Sequence, residues 1–480
     1  MQHLMDSPLT RVAGSWALVY ILSACSTHAH LAASIHTSTS DGGEPGAAGV
    51  GESDQGGTSG TGGTATGGTG TGGADGGSGA NGGSGTGGTQ GGSQGVSGTG
   101  GSGGSGQSSG GGGHGGGASG RAAGGSAGAG GKKPVSTGKP PACPSGNMLS
   151  GQTGMWEDVT PSAVTLDKNF TGPVNNYGVQ DVLADPSCPG RFYAFICYQG
   201  VWVTTDYGAT WTQADTDNQL EQGRPWGEAI ASDGSYMLAC TGYGNGRVGA
   251  WKSIDGGATW KAYPIADNSD PYMFDIDPTD NTHVISTSHS VGHVYESMDA
   301  GETWSDAGDT GVPDSPYAFF ITPTTWLLVT QDDHGTMLTT DSGKTWSKVG
   351  DMQHVHGAEQ IFIDPNNSDI YVPSHNGVQG VYRSTDNGAT FKQVSTGQGA
   401  AVVATDSTLY SIDSGASTDG NPPNPFTSPR ADGTKWTAMT FPSAMTNGTK
   451  RAGVAQDPVS KKWVIVSGNW NAGIWRYLEP

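Results

Sequence analysis

The chain has 480 residues, 84 of them glycine and only 33 % hydrophobic, so a large share of it cannot belong to a packed core. Its formal charge of −21 at pH 7 sets its surface against nucleic-acid phosphates and anionic lipid headgroups, which excludes nucleic acid as a partner. The five cysteines, Cys25, Cys143, Cys188, Cys197 and Cys240, form no C-x-x-C pair and match no zinc spacing.

Residues 1–25 read as a targeting segment. Arg11 precedes an apolar run from Val12 to Ala24 that is too short to span a bilayer and stops at Cys25. Leu22-Ser-Ala-Cys25 resembles a bacterial lipobox. The resemblance implies that Cys25 is lipidated and that the chain is exported and held at the cell envelope by that lipid alone, with plain secretion as the alternative. Residues 26–142 follow as a disordered Gly/Ser/Thr-rich tether, whose side chains bury too little surface to offset the entropy of ordering them. On the order of 100 such residues have a mean reach of about 50–60 Å. The four cysteines beyond Cys25 then face a compartment where disulfides persist, and a Cys188–Cys197 bridge across one hairpin is a pairing the spacing allows.

From residue 150 to 480 the sequence turns periodic. A hydroxyl-x-Asp-x-Gly-x-Thr-aromatic motif occurs at Thr204–Trp211, Ser253–Trp260, Ser297–Trp304, Thr339–Trp346 and Ser384–Phe391, with a worn copy at Arg430–Trp436. Its aspartates, 206, 255, 299, 341, 386 and 432, lie 42 to 49 residues apart, the length of one four-stranded propeller blade. β-rich segments precede each motif, and Asp-Pro pairs at Asp185, Asp277, Asp364 and Asp457 mark the turn between the first and second strands. The last unit, from Ala455 to Tyr477, lacks its fourth strand, and Met155–Thr160 supplies one. The fold expected is all-β, a single β-propeller of seven blades, with six or eight left open; a ring closed by its terminal strand exposes no sheet edge. A core of this size needs no partner, so a monomer is expected.

The five intact motifs resemble the Asp-box, or BNR, repeat of the sialidase, xyloglucanase and sortilin-like propellers. In that resemblance the aspartates are staples of a turn, not catalytic acids. The sialidase Arg-Ile-Pro motif does not occur here. Where xyloglucan hydrolases place a catalytic aspartate after the second strand of their first blade, Tyr193–Gly200 carries Cys197. The fold is implied strongly, and no family site transfers.

Candidate chemistry therefore rests on loop residues. In a propeller the turns joining strands one to two and three to four share one face, which the motifs occupy, so a site is expected on the opposite face. Of seven histidines after the tether, six fall in opposite-face loops, which marks blades three to five. The catalytic candidates are His356, Asp333, Glu228 and Tyr177: histidine and tyrosine as base and acid, or Glu228 with Asp333 as a glycosidase pair. Substrate contacts are assigned to Arg224, Trp226, Tyr243, His289, His334, His375, Arg451, Trp470 and Asn471, the arginines for a carboxylate and the aromatic rings for sugar faces. A divalent metal ion held by Asp332, Asp333, His334 and neighbouring histidines is a third option. Together these features point to an extracellular carbohydrate-active protein that binds and cleaves a polysaccharide or glycoconjugate, as a glycoside hydrolase or a polysaccharide lyase. The alternative is a non-catalytic lectin-like or protein-binding propeller.

Overall fold

The computed structural model describes residues 138–146, 149–167, 176–242, 249–265, 270–289, 291–313, 317–330, 334–353, 360–374, 376–377, 380–396, 401–412 and 425–480. The targeting segment, Cys25 and the tether up to residue 137 lie outside them.

Seven four-stranded antiparallel sheets form the blades of a β-propeller. Blade one comprises Val179–Ala184, Phe192–Ile196, Gly200–Thr204 and Thr212–Gln213, and its innermost strand packs beside Arg451–Gln456 of blade seven. The innermost strands of blades two to six are Ala229–Ile230, Pro271–Ile276, Tyr317–Thr322, Phe362–Ile363 and Ala401–Ala404. Strands one to three of each blade are rich in β-branched and aromatic residues because neighbouring blades cover both of their faces. Phe192–Ile196 is buried at every position, whereas the outermost Thr212–Gln213 and Lys261–Ala262 are exposed. Blade seven takes its fourth strand from the other end of the domain: Trp156–Asp158 pairs with Ile474–Leu478, Trp156 opposite Tyr477. That register closes the ring as the sequence predicts.

The repeated motif makes the turn between strands three and four. In blade three Asp299 accepts the Thr303 amide at 2.7 Å and the Thr303 hydroxyl at 2.6 Å, while Ser297 donates to Asp299 at 2.9 Å. Gly301 sits at φ +82°, and a Cβ there would lie 2.9 Å from Leu238 of the neighbouring blade, so two independent constraints demand glycine. Trp304 then packs on Phe274 at 5.7 Å between ring centroids. In blade five the Thr390 hydroxyl, with the Thr390 amide and Ser384, holds the Asp386 carboxyl down at about 2.

Cys143 is bonded to Cys188, with Cα atoms 5.4 Å apart, while Cys197 and Cys240 are free and buried. The Cys188–Cys197 pairing allowed by sequence is thereby corrected. Cys188 lies in the turn before strand Phe192–Ile196 and Cys197 follows it, so the length of that strand separates two Cα atoms that a bridge needs within about 7 Å. The residues before Cys143 are fastened as well. Arg191, paired with Asp185 at 2.9 Å, donates to the carbonyls of Pro141 at 3.1 Å and Ala142 at 2.6 Å, and Gly138 donates to Ser235 at 3.0 Å.

Candidate functional site

Two layers occupy the centre of the ring. The first is aromatic. The loop carrying Trp470 is strapped onto the innermost strand of blade one by paired backbone bonds with Val179, 3.0 and 3.1 Å, which aims its ring at the axis. There it meets Trp226 at 6.0 Å and Tyr177 at 6.1 Å, both edge to face. Trp226 stacks in turn on Tyr272 at 5.1 Å, and Tyr272 touches His289 at 5.2 Å and Tyr317 at 5.3 Å. The Arg224 guanidinium lies 5.0 Å from the Tyr177 ring centre. Trp226 and Trp470 are 1 % and 2 % exposed, so the platform expected for a sugar ring is filled by neighbouring rings. Arg224 is buried with them, and Tyr177 and His289 are half-buried at the edge.

The second layer is charged. Asp181, in the innermost strand of blade one, takes Lys450 on Oδ1 at 3.1 Å and Arg451 on Oδ2 at 3.3 Å, and accepts the Glu228 amide at 3.1 Å. Burial alone would raise the Asp181 carboxyl, but the adjoining Lys450 and Arg451 outweigh it and hold the group at about 2. Glu228 is driven the opposite way: burial, then the charge of Asp181, push its carboxyl well above the usual range. Its Oε1 accepts the Trp226 amide at 3.0 Å. Lys450 also donates to the Trp226 carbonyl and sits 5.0 Å from that ring, which links the two layers. Arg451 Nη1 donates to the Glu228 carbonyl at 2.5 Å.

Arg451 borders a cavity of about 410 Å³ lined also by Asp275, Gln360, Ile276, Phe319, Phe320, Ile321, Ile361 and Ile363, with Pro278 and Pro365 at its rim. These prolines belong to the turns between strands one and two, so the cavity approaches the face that carries the motifs. The sequence reading placed the site on the other face, where the rings now stand. Asp275 Oδ2 accepts the Phe320 amide at 2.7 Å. Burial pushes its carboxyl up to about 7, against the pull of that amide and of Arg451. Gln360 is held at both ends by the Ala452 backbone, 3.0 Å for each bond.

The structure thus brings together Tyr177, Arg224, Trp226 and Trp470 in one layer and Glu228 and Arg451 in the next. Asn471 ties loops, donating to the carbonyls of Leu166 at 3.0 Å and Asn176 at 2.9 Å. His334 is exposed on its loop. His356, Asp333, Tyr243 and His375 lie outside the described residues. Among the described residues no group of three His, Cys, Asp or Glu side chains converges as a metal site. Asp181, Asp275 and Gln360 escaped the sequence reading because each sits in or beside an innermost strand and reads there as part of a β segment. An acid inside an otherwise apolar strand, with Lys450-Arg451 heading another, was the available signal.

No protein-family model matches the chain. Over 136 residues, a quarter of the chain, it is 29 % identical to the xyloglucanase Xgh74A of Acetivibrio thermocellus, a match that spans 16 % of that enzyme's length. The GH74 xyloglucanase of Xanthomonas campestris is similar in structure over 65 % of the chain and 38 % of its own, at 17 % identity and TM-score 0.34. A catalytically inactive virginiamycin B lyase from Staphylococcus aureus with quinupristin aligns over 68 % of this chain and 99 % of its own, at 13 % identity and TM-score 0.50, which is a likeness of fold.

Proposed function

We propose that the chain is an exported carbohydrate-active propeller that binds a polysaccharide in the cavity between blades three, four, five and seven. The observation that carries this reading is the cavity itself: one arginine and one protonatable carboxyl set against an apolar wall of phenylalanine and isoleucine, the lining that orients a sugar by its polar edge and packs its C–H face. The partial similarity to a xyloglucanase supports a glycan ligand, and the five Thr/Ser-Asp-Gly turns support an Asp-box propeller. The Cys143–Cys188 disulfide supports export, since such bonds persist in oxidising compartments. Lipidation at Cys25 and the tether belong to the same reading. Globomycin, which blocks lipoprotein signal processing, is expected to make precursor accumulate; unaffected maturation leaves simple secretion.

Cleavage is the finer question. Asp275, with a carboxyl at about 7, is suited to give or take a proton near neutrality. Glycoside hydrolysis uses two carboxyls, however, and Asp275 is the one described carboxyl on the cavity wall, Asp181 and Glu228 being fully buried behind it. That observation favours a second reading, a binding propeller without turnover. The test is a screen of the mature chain against plant, algal and microbial polysaccharides, following binding, new reducing ends and the ultraviolet absorbance of unsaturated uronates together. Reducing ends alone identify a hydrolase, absorbance a lyase, and binding without either the non-catalytic propeller. No glycan binding at all overturns the proposal.

A further inference from the structure

The chain is fastened to the propeller at two places in succession. Residues 138–143 lie across the motif face of blades one and two: the Gly138 amide donates to the Ser235 carbonyl at 3.0 Å, and a Cβ on Gly256, in the blade-two motif, would stand 2.4 Å from the Pro141 ring. Arg191 holds the carbonyls of Pro141 and Ala142, and the Cys143–Cys188 bond then ties the chain covalently to the first turn of blade one. Farther along comes Trp156–Asp158, the strand that closes the ring.

These two attachments carry a pull differently. Trp156–Asp158 is three residues long and, as the outermost strand of blade seven, is paired on one side alone, with Ile474–Leu478. Its loss reopens the ring and bares the edge of Ile474–Leu478. Cys188 instead sits 1 % exposed in a turn whose Asp185 carboxylate accepts the Ser187 amide and hydroxyl at 2.8 and 2.6 Å and pairs with Arg191. That turn leads into Phe192–Ile196, five residues buried at every position and paired along both sides. A pull arriving at Cys143 therefore crosses the two sulfur atoms to an interior strand, and residues 144–155, between the bridge and the closing strand, carry none of it.

We propose that the Cys143–Cys188 bridge is a load-bearing junction, which passes tension on the glycine-rich stretch ahead of residue 138 into blade one and keeps it off the ring-closing strand. Without the covalent bond, that strand is guarded only by the hydrogen bonds of Gly138 and Arg191 to the preceding segment, each of which water can replace. The junction goes beyond the carbohydrate reading and is independent of which ligand the cavity takes.

The test is single-molecule pulling of the full mature chain between an N-terminal handle and an azide-bearing amino acid substituted for Lys392, which is exposed on the outermost strand of blade five. The oxidised parent is compared with Cys143→Ser and with the parent reduced in place, Cys143 being exposed to the reductant. Forced unfolding reports how fast the loaded contact breaks. In both bridge-free forms an early step of up to ~70 Å is expected, the extended length of the roughly 20 residues from 138 to 158, at a lower force than any event in the oxidised parent. A second axis runs from an azide-bearing amino acid at Ala262, exposed on the outermost strand of blade two, to position 392 and does not load the closing strand directly. Along it all three forms are expected to yield at the same force. Early yielding confined to the N-terminal axis upholds the junction. Equal first-rupture forces with and without the bridge on that axis overturn it, and so does an equal weakening along both axes, which makes the bridge a general stabiliser. Neither lipid nor glycan is present in the measurement, so its failure leaves the reading of the cavity standing.

Discussion

Replacing Asp275 with asparagine should make the protein more stable in alkali and leave it nearly unchanged in acid. Its carboxyl is raised from the ordinary 3.8 to about 7 by burial. At about 1.36 kcal/mol per pH unit, that gap corresponds to ~4 kcal/mol of stability. The sign follows from proton counting. Between about pH 4 and pH 7 the unfolded chain has released a proton that the folded chain retains, so stability falls as pH rises through this window, and the whole penalty is present above it. Asparagine still offers an oxygen to the Phe320 amide, 2.7 Å away, and carries nothing to ionise. Urea unfolding of parent and Asp275→Asn at intervals from about pH 4 to pH 8 should therefore give curves that meet in acid and diverge by up to ~4 kcal/mol in alkali, the variant above. Asp215 is also raised to about 7, so the slope of the parent alone is not diagnostic and the difference between the two proteins is. A constant offset across the range refutes the burial of an uncharged Asp275.

The buried ion cluster makes a contrasting prediction: Lys450→Met strips Asp181 of one of its two cations and should cost about 3–5 kcal/mol in the same unfolding assay, with less than about 1 kcal/mol showing that Arg451 alone suffices. Cys143→Ser opens a loop of 45 residues, for which chain entropy predicts a loss of ~4 kcal/mol; limited proteolysis should then cut ahead of residue 143, and an unchanged digest would show that Arg191 holds the segment without the disulfide. Asp299→Ala leaves the Thr303 amide without its acceptor and should cost about 1–3 kcal/mol, read as a lowered denaturant midpoint, whereas no loss would mean that Gly301 and Trp304 fix the turn unaided.

The fold was legible because the feature that defines it repeats. An aspartate, a glycine and an aromatic residue at fixed offsets, returning every 42 to 49 residues, state both the turn and the blade length, and the orphan strand near Met155 states how the ring closes. The disulfide was hidden because Cys143 lies beside the glycine-rich stretch and carries no strand pattern, while Cys188 and Cys197 look like hairpin partners. The cavity was hidden for a different reason. Its polar wall is assembled from Asp275, Gln360 and Arg451, one residue from each of three blades, and sequence spacing around a ring says nothing about which side chains turn inward at the same height. Trp226 and Trp470 misled by composition: an aromatic residue between polar neighbours suggests a ligand platform, yet here each ring finds its partner in another blade's ring.

That aromatic packing also accounts for where chemistry is left to happen. A propeller channel begins with two mouths, and here Trp226, Trp470, Tyr272 and Tyr317 fill the axis at one level. At the level beneath, Asp181 pairs with Lys450 through one oxygen and with Arg451 through the other, so these charges meet partners inside the ring. Of the three, Arg451 is the one that still reaches open volume, its side chain 17 % exposed beside the cavity. Arg451 therefore has two surroundings: its Nη1 meets Asp181 and the Glu228 carbonyl, and its side chain lines the cavity. The rings fill the axis on one side, and the open volume that remains lies toward the face that carries the motifs.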